Sequence, residues 1–253
     1  MKFIVLIPAR YESTRFPGKP LALIGGVEMI VRVCRQVAKT GFPLAVATDS
    51  EAIRERVEKA GFKAVMTSPS HRSGTERVEE AYRVLGSDAD VVINVQGDEP
   101  FINPEQIMML ADMFRRYENT DIATLARKFD PEAGFDALSD PNLVKLVMSE
   151  HGEALYFSRS VIPYLRKYPR EEWLSNAVFY SHIGIYAYRS SVLSEIVKLP
   201  ESPLETAESL EQLRWLQNGY GIRAAVSAHP TIGIDTPDDL EKAQNFLMES
   251  GVL

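Results

Sequence analysis

Three cationic side chains lie within ten residues of one another near the amino terminus of this 253-residue chain. They are Arg10, Arg15 and Lys19, in the stretch IPARYESTRFPGKP. A guanidinium group offers a planar fork of donors and an ammonium group a compact charge, and both suit the oxygen atoms of phosphates. Three prolines restrict this backbone, while Gly18 lets a ligand approach it closely. The stretch therefore predicts a rigid loop that binds a polyanion such as a triphosphate.

The hydroxyl group of Ser13 adds a further hydrogen-bonding group to this predicted loop. The loop is not a Walker loop, because the pattern G-x-x-x-x-G-K-[ST] is absent from the sequence. The alternative is a solvated basic loop without a ligand. We favour a binding loop, because a purely structural loop gains little from stiffness combined with clustered like charge.

An aspartate in the stretch VINVQGDEP has the setting of a metal ligand. Asp98 follows an apolar run and a glycine, so its carboxylate is expected at the end of a buried strand. Carboxylate oxygens suit Mg²⁺, which commonly binds one or two of them together with phosphate oxygens and water. The alternative is that Asp98 caps the next helix, but Asn103 is better placed for that role. Gln96 lies two residues earlier on the same face of the strand and is a candidate ligand contact.

A second aspartate, Asp235, ends the run TIGI and precedes a predicted helix start. Thr236 has the position of an N-cap and Pro237 that of the first helical residue, while Asp239 lies in the first turn. These roles explain residues 236–239 and leave Asp235 without one. The residues alone leave two interpretations of Asp235 open, a metal ligand and a turn residue.

The stretch SHRSGTER contains a helix start. Ser73 and Glu76 fit a capping box of the form S-x-x-E. Such a start leaves free N–H groups that face a ligand, and Arg72 lies beside them. The pattern alone leaves a capped helix and a ligand-binding turn equally open.

Short apolar runs alternate with amphipathic ones through the first half of the chain, which indicates strands and helices in β-α order. Strands are predicted at 2–8, 43–49, 62–67 and 90–100, and helices at 28–41, 50–61, 73–86 and 104–117. Strands that are apolar on both faces are typical of a mostly parallel sheet covered by helices. Ligands bind such sheets outside the carboxyl ends of the strands, so the loops described above are expected to converge on one crevice.

The second half of the chain is less regular. Strands are predicted at 143–149, 153–158, 182–189 and 222–228, and helices at 190–199, 209–219 and 236–250. The proline- and charge-rich piece from 163 to 173 is expected to be an exposed connection. We therefore expect a single domain over residues 1–253, with a smaller subdomain or arm at about 150–190.

The composition argues against several classes of protein. Nucleic-acid binders usually carry a net basic face, so with a formal charge of −7 no nucleic acid is expected as a partner. No run of about 20 apolar residues exists, so no membrane insertion is expected. The apolar stretch at the amino terminus is too short for a signal peptide, and a cytoplasmic location is expected. Cys34 is the single cysteine, which excludes a disulfide within the chain.

Several stretches together resemble the sugar-activating nucleotidyltransferases, and in particular the cytidylyltransferases of 3-deoxy-manno-octulosonate (Kdo). They are, in order over nearly the whole chain, IPARYESTRFPGKPL, SGTER, VINVQGDEP, LYFSRSVIP, HIGIYAYR, LEQLRWLQNG and GIDTPDDLE. The resemblance implies an α/β fold, a Rossmann-like three-layer sandwich with a mostly parallel central sheet and a small dimerisation subdomain. It also implies a Mg²⁺-dependent reaction of CTP with Kdo, giving CMP-Kdo and pyrophosphate for lipopolysaccharide biosynthesis, in a homodimer.

The resemblance assigns roles to individual residues of this chain. The implied catalytic residues are Arg10, Lys19, Asp98 and Asp235, of which the two aspartates are the implied magnesium ligands. The implied nucleotide-binding residues are Ala9, Arg10, Ser13, Arg15, Lys19, Arg72, Ser73, Gly74, Gln96 and Asp98. The implied sugar-binding residues are Gln96, Arg159, His182, Tyr186, Glu211 and Gln212. From the residues alone this last set has structural alternatives, because His182 and Tyr186 can simply pack and Glu211 lies beside the apolar stripe of its predicted helix.

Three other functions stay open. A cytidylyltransferase for another acidic sugar, such as a sialic acid, is one of them, although HIGIYAYR and LEQLRWL favour Kdo. A catalytically silent nucleotide-binding protein is the second, but binding alone would not need both aspartates. A glycosyltransferase is the third, and it is expected to carry an Asp-x-Asp motif at the fourth strand end, where this chain has QGDEP.

Overall fold

The computed structural model describes residues 1–12 and 16–250. The strands are β1 (Phe3–Ala9), β2 (Leu23–Ile24), β3 (Val27–Glu28), β4 (Leu44–Thr48), β5 (Ala64–Met66), β6 (Val91–Asn94), β7 (Ile122–Lys128), β8 (Lys145–Met148), β9 (Ala154–Ser158), β10 (Tyr180–Arg189) and β11 (Ile222–Val226). The helices are α1 (Met29–Ala38), α2 (Glu51–Lys59), α3 (Gly74–Val84), α4 (Pro104–Arg116), α5 (Gly134–Ser139), α6 (Trp173–Asn176), α7 (Ser190–Ile196), α8 (Pro203–Glu208), α9 (Gln212–Gln217) and α10 (Pro237–Ser250). Short 3₁₀ turns lie at Lys19–Leu21, Pro131–Ala133 and Arg170–Glu172. Within the described ranges, no helix is both long and apolar enough to cross a membrane.

The central sheet has the strand order β11-β7-β10-β6-β1-β4-β5. The pairs β1–β4, β1–β6, β4–β5 and β7–β11 are parallel. β10 runs antiparallel between β6 and β7, and β8 and β9 extend the sheet from β10. In the first half of the chain a helix follows each strand of the central sheet and returns the chain to the same edge of the sheet. Consecutive strands therefore run parallel, joined by right-handed crossovers.

Both faces of the sheet are covered, as the side chains of β1 illustrate. Val5 and Ile7 pack into one apolar cluster with side chains of α1 and α4. Ile4 and Leu6 point to the other face and pack with side chains of α3 and α7. Successive strand residues alternate between faces, so an uninterrupted apolar run requires a cover on each side. The expected three-layer α/β fold with a mostly parallel central sheet is thus confirmed, whereas the dimerisation subdomain stays a prediction.

Two differences between the structure and the sequence-based assignment concern β7 and α9. No strand was assigned to residues 122–128, yet β7 lies inside the sheet between β10 and β11. The helix predicted at 209–219 is shorter, because Ser209 adopts a left-handed backbone conformation with φ of 52° and α9 starts only at Gln212. A residue in that conformation stops helical hydrogen bonding, so α8 ends before it.

The piece from 163 to 173 is a connection that is not exposed throughout. Trp173 at its end is buried and packs edge-on against Phe135 at a centroid distance of 5.7 Å. Together with Leu138 and Phe179 it forms a small apolar cluster separate from the two faces of the sheet. Tyr164, by contrast, is 72% exposed. The expected exposed connection is therefore wrong at Trp173, because this indole is the largest member of a local core.

Candidate active site

A cleft of about 260 Å³ lies beyond the carboxyl ends of β1, β5 and β6. Of the predicted site residues it is lined by Ala9, Arg10, Lys19, Arg72, Ser73, Gly74, Gln96, Asp98 and Asp235. This is the crevice expected for an open parallel sheet. The predicted residues Ser13 and Arg15 lie outside the described residues.

Lys19 joins the two predicted metal ligands at the centre of the cleft. Its Nζ donates to Asp98 Oδ2 at 2.7 Å and to Asp235 Oδ1 at 3.0 Å. The side chain of Lys19 is only 13% exposed. Burial opposes its charge, but the two carboxylates outweigh this effect and raise the pKa of the ammonium group. The cleft therefore holds one fixed cation between two carboxylates.

Gly18 places Lys19 at this point. Gly18 has a φ of 70°, in the left-handed region that glycine adopts without strain. Its N–H donates to the carbonyl of Tyr11 at 2.9 Å, which ties the start of the 3₁₀ turn to the segment that follows β1. Gly18, which the sequence analysis predicts to let a ligand approach the backbone, thus also makes the turn before Lys19.

Asp98 and Asp235 are brought together by backbone contacts. A Cβ atom on Gly97 would lie 2.8 Å from the carbonyl oxygen of Pro8, so only glycine allows the ends of β1 and β6 to approach this closely. The N–H of Ile234 donates to the carbonyl of Asp98 at 3.0 Å, which ties the segment of Asp235 to that of Asp98. Ile234 is fully buried and packs in the apolar cluster formed with α10. Tertiary packing therefore sets the distance between the two carboxylates.

This pair of carboxylates fits the requirements of a magnesium ion. Because both oxygens contact one nitrogen atom, they lie within about 6 Å of each other, and small side-chain rotations would bring them to the ~3–4 Å that two ligands of one Mg²⁺ need. Within the described part of the chain, no group of three or more His, Cys, Asp and Glu side chains is placed to hold a metal ion. The other ligands would then be phosphate oxygens and water, as is common for Mg²⁺.

Glu99 follows Asp98 directly, and the sequence analysis did not single it out. Its Oε2 is buried and has no hydrogen-bond partner in the described part of the chain. Burial, and then the charges of Asp98 and Asp235, raise the pKa of its carboxyl to about 8. The spacing gave no signal for this perturbed carboxyl group, because a glutamate before Pro100 resembles an ordinary turn residue.

The predicted helix start at Ser73 is present, but its capping box is incomplete. Ser73 Oγ accepts from the N–H of Glu76 at 3.2 Å. The Glu76 carboxylate reaches the N–H of Arg72 at 2.8 Å rather than that of Ser73, and it also pairs with the Arg72 guanidinium at 2.9 Å. Arg72 is thus folded back on its own turn, with 70% of its side chain exposed.

Arg77 also lines the cleft and was missed, because it lies on the face of α3 next to the predicted apolar stripe. It is 3% exposed and donates to Thr67 Oγ1 at 2.6 Å and to Asp49 Oδ2 at 2.7 Å. These bonds join α3 to the segments that follow β4 and β5. Arg77 therefore holds a buried positive charge at the floor of the cleft with its own counterion.

The predicted sugar-binding residues are not gathered in one cavity. Gln96 lines the cleft, and Glu211 lines a neighbouring cavity of about 330 Å³ that shares Arg72 and Ser73 with it. The remaining four predicted residues line neither cavity; they are Arg159, His182, Tyr186 and Gln212. Glu211 accepts hydrogen bonds from Ser73 Oγ at 3.0 Å, from Thr75 Oγ1 at 2.8 Å and from Arg214 Nη2 at 2.7 Å.

Arg159 binds backbone carbonyls of the protein itself. Its side chain donates to the carbonyls of Glu208 at 2.7 Å, Pro141 at 2.9 Å and Ser209 at 3.3 Å. Tyr186 is 7% exposed and meets Trp215 edge-on at 5.2 Å. Gln212 is 6% exposed. Arg159 and Tyr186 thus have anchoring or packing contacts of their own, which a sugar would have to share.

His182 is expected to make the stability of the protein fall at acid pH. Burial lowers the pKa of its imidazole from 6.5 to about 3. The unfolded chain binds this proton more readily, so the contribution is complete above about pH 6.5 and is lost as the pH falls toward 3. In urea titrations, the unfolding free energy of the wild type should fall more steeply between about pH 7 and pH 5 than that of His182→Gln. Parallel slopes would contradict an imidazole that the fold keeps neutral.

Comparisons with known proteins give consistent matches over the chain. The family described as cytidylyltransferase matches residues 4–226. The 3-deoxy-manno-octulosonate cytidylyltransferase of Parabacteroides distasonis is 54% identical over 98% of both chains, and that of Bacteroides thetaiotaomicron is 52% identical over 98% of both. A solved CMP:2-keto-3-deoxy-manno-octonic acid synthetase in complex with CTP superposes with a TM-score of 0.90 at 40% identity, covering 99% of this chain and 100% of the other.

Proposed function

The chain belongs to the cytidylyltransferase family, and from this premise we propose that it transfers the cytidylyl group of CTP to Kdo, with Mg²⁺ as cofactor and pyrophosphate as second product. The observation that carries the proposal is the convergence of Lys19, Asp98 and Asp235 in one cleft at the carboxyl ends of the strands. The high identity to relatives that are named for this sugar supports the choice of acceptor.

In the proposed reaction, the anomeric hydroxyl of Kdo attacks the α-phosphorus of CTP. A new P–O bond forms to the sugar oxygen, the hydroxyl proton is released, and the P–O bond to the β-phosphate breaks in line with the attack. Positioning and charge neutralisation are the main tasks of the protein in such a transfer. Lys19 and Arg10 would offset the charge that grows on the departing pyrophosphate, with Arg15 as a third predicted cation in the same loop.

Asp98 and Asp235 are the residues that would hold magnesium. A bound Mg²⁺ neutralises phosphate oxygens and lowers the pKa of an attacking hydroxyl. Lys19 contacts the same two carboxylates, so it offsets part of their charge and holds their oxygens together before nucleotide enters. Near the other end of the cleft, the turn of Arg72, Ser73 and Gly74 is proposed to bind the cytosine base, together with Ala9.

The sugar is proposed to bind near the second cavity. Glu211, Gln212, Gln96, His182 and Tyr186 are the proposed contacts for its hydroxyl groups. Arg159 stays a proposed contact for the carboxylate, which would compete with the carbonyl oxygens that Arg159 binds in this structure.

A homodimer, a cytoplasmic location and a role in lipopolysaccharide biosynthesis are further parts of the proposal. The residues around 150–180 expose several large apolar side chains, namely Leu155, Tyr164, Tyr168 and Val178. Such side chains are typical of an interaction surface when they lie together.

A pyrophosphate-release assay tests the proposed function. Four nucleotides, CTP, UTP, ATP and GTP, are crossed with Kdo and a sialic acid, each with and without Mg²⁺. We expect release only with CTP, Kdo and Mg²⁺ together. Release with a sialic acid but not with Kdo would identify the sialic acid as the acceptor. Binding of CTP without any release of pyrophosphate would contradict the proposed activity and favour a catalytically silent nucleotide-binding protein.

A further inference from the structure

A β-bulge in β10 lies next to His182 and faces Thr124 of β7. In the antiparallel pairing of β10 with β7, Ile183 lies opposite Leu125 and the next pair is Tyr186 with Thr124. Gly184 and Ile185 thus have no opposite residue on β7 in this register. Bulges of this kind bend the strand and re-aim its side chains, and they occur often beside active sites. The carbonyl groups inside the bulge need other hydrogen-bond donors.

The hydroxyl group of Thr124 supplies such a donor. Thr124 is fully buried, and its Oγ1 lies 2.8 Å from the carbonyl oxygen of Ile185 and 3.3 Å from that of Ile183. Two oxygen atoms at 2.8 Å repel each other unless a proton lies between them, and a carbonyl has none to give. The single hydroxyl proton of Thr124 is therefore directed at the carbonyl of Ile185.

This assignment fixes the proton on His182. His182 Nε2 lies 3.0 Å from Thr124 Oγ1, whose proton is already used. Only lone pairs of Oγ1 face the ring, so Nε2 must carry a proton and donate it. A neutral imidazole has one N–H group, so Nδ1 is then an acceptor. Burial keeps the ring neutral, because it lowers the pKa of His182 to about 3.

The remaining contacts hold the ring but leave Nδ1 available. The edge-to-face contact with Phe157 has a centroid distance of 5.1 Å, and the ring of Tyr186 lies at 5.3 Å. The backbone N–H of His182 donates to the carbonyl of Val144 at 2.8 Å. Nδ1 bonds to no residue in the described ranges and is not one of the fully buried unpaired atoms. A ligand atom that meets Nδ1 must therefore be a hydrogen-bond donor.

We propose that Thr124 is a positioning residue that fixes His182 as the Nε2–H tautomer, so that Nδ1 accepts a hydrogen bond from a hydroxyl group of the sugar substrate. The last step rests on the proposed function, whereas the tautomer does not. The imidazole then distinguishes donors from acceptors, and it does not serve as a cation for the sugar carboxylate. A polyol offers donors in this position, and a carboxylate does not.

The tautomer is measured directly on the wild-type protein without substrate. In a long-range ¹H–¹⁵N correlation spectrum, the ring signals that disappear in His182→Gln belong to His182. We expect a protonated Nε2 and an unprotonated Nδ1. A protonated Nδ1 would overturn the proposal whether or not the protein turns over Kdo. The predicted tautomer in a protein without Kdo turnover would contradict the proposed function and leave the tautomer assignment standing.

Two substitutions test the positioning role. Thr124→Val keeps the shape of the side chain and removes the hydroxyl, while Thr124→Ser keeps the hydroxyl. Thr124→Val should lose the single tautomer and raise the KM for Kdo about tenfold, the scale of one hydrogen bond, with little change in the KM for CTP. Thr124→Ser should keep the wild-type tautomer and most of the affinity for Kdo. Equal losses in both variants, or equal rises in both KM values, would indicate a merely structural role and overturn the proposal.

Discussion

Asp98→Asn is expected to lower the turnover of CTP and Kdo at least ~10²-fold while leaving the protein folded. Asparagine has nearly the same shape, and the backbone bond from Ile234 to the carbonyl of residue 98 does not involve the side chain. The substitution removes one of two carboxylate charges that are proposed to bind Mg²⁺. It also removes the negative charge beside Lys19, whose Nζ lies 2.7 Å from Asp98 Oδ2.

Initial rates of pyrophosphate release over a range of Mg²⁺ concentrations give the measurement. The Mg²⁺ concentration for half-maximal rate should rise in Asp98→Asn, because the remaining carboxylate binds the ion alone. Asp112→Asn is a matched control, since Asp112 lies on the exposed side of α4 and pairs there with Arg115. A folded Asp98→Asn protein with near-normal release would remove the proposed metal role of this residue.

Lys19→Ala is expected to reduce kcat/KM for CTP by at least ~10²-fold, with a smaller effect on the KM for Kdo. The ammonium group is the partner that Asp98 and Asp235 share. Without it, two carboxylates face an incoming triphosphate, and like charges disfavour binding in a partly buried cleft. The proposed pyrophosphate leaving group also loses a cation in the transition state.

Steady-state kinetics with CTP and Kdo varied separately distinguish the two substrates. Lys39→Ala serves as the control, because Lys39 caps the far end of α1 and its side chain bonds only to Gln36 among the contacts of the described residues. Unchanged affinity and rate with CTP in Lys19→Ala would exclude this residue from the phosphate site. A loss confined to Kdo would assign Lys19 to the sugar instead.

The first half of the chain shows how far local patterns lead. The run KFIVLIP is apolar at successive positions, which predicts a strand covered on both faces, and β1 packs into a core on each side. The helix signals at Ser73 and Asn103 also correspond to real N-caps. These features depend on neighbours in the sequence, and local propensity decides them.

Residues that depend on distant partners were missed or left open. β7 was not assigned, because its hydrogen bonds and apolar contacts come from β10 and β11. Glu99 and Arg77 resemble ordinary surface charges in the sequence, and only the packing around them covers Glu99 Oε2 and buries Arg77. The energy of a charged group depends strongly on whether it is buried, and burial is not visible in the residue type. Sequence patterns therefore seldom identify such residues.

The amino-acid sequence by itself determined the kinds of chemistry available, namely a cationic loop with a glycine turn and two aspartates at strand or segment ends. Types and spacings suffice for this, because the affinity of guanidinium, ammonium and carboxylate groups for phosphates and hard cations is a property of the groups themselves. The tertiary structure alone decided that Lys19 lies between Asp98 and Asp235, and that Thr124 meets the ring of His182. Hydrogen bonds and ion pairs act over about 3 Å, and only the folded sheet brings such distant parts of the chain to that distance.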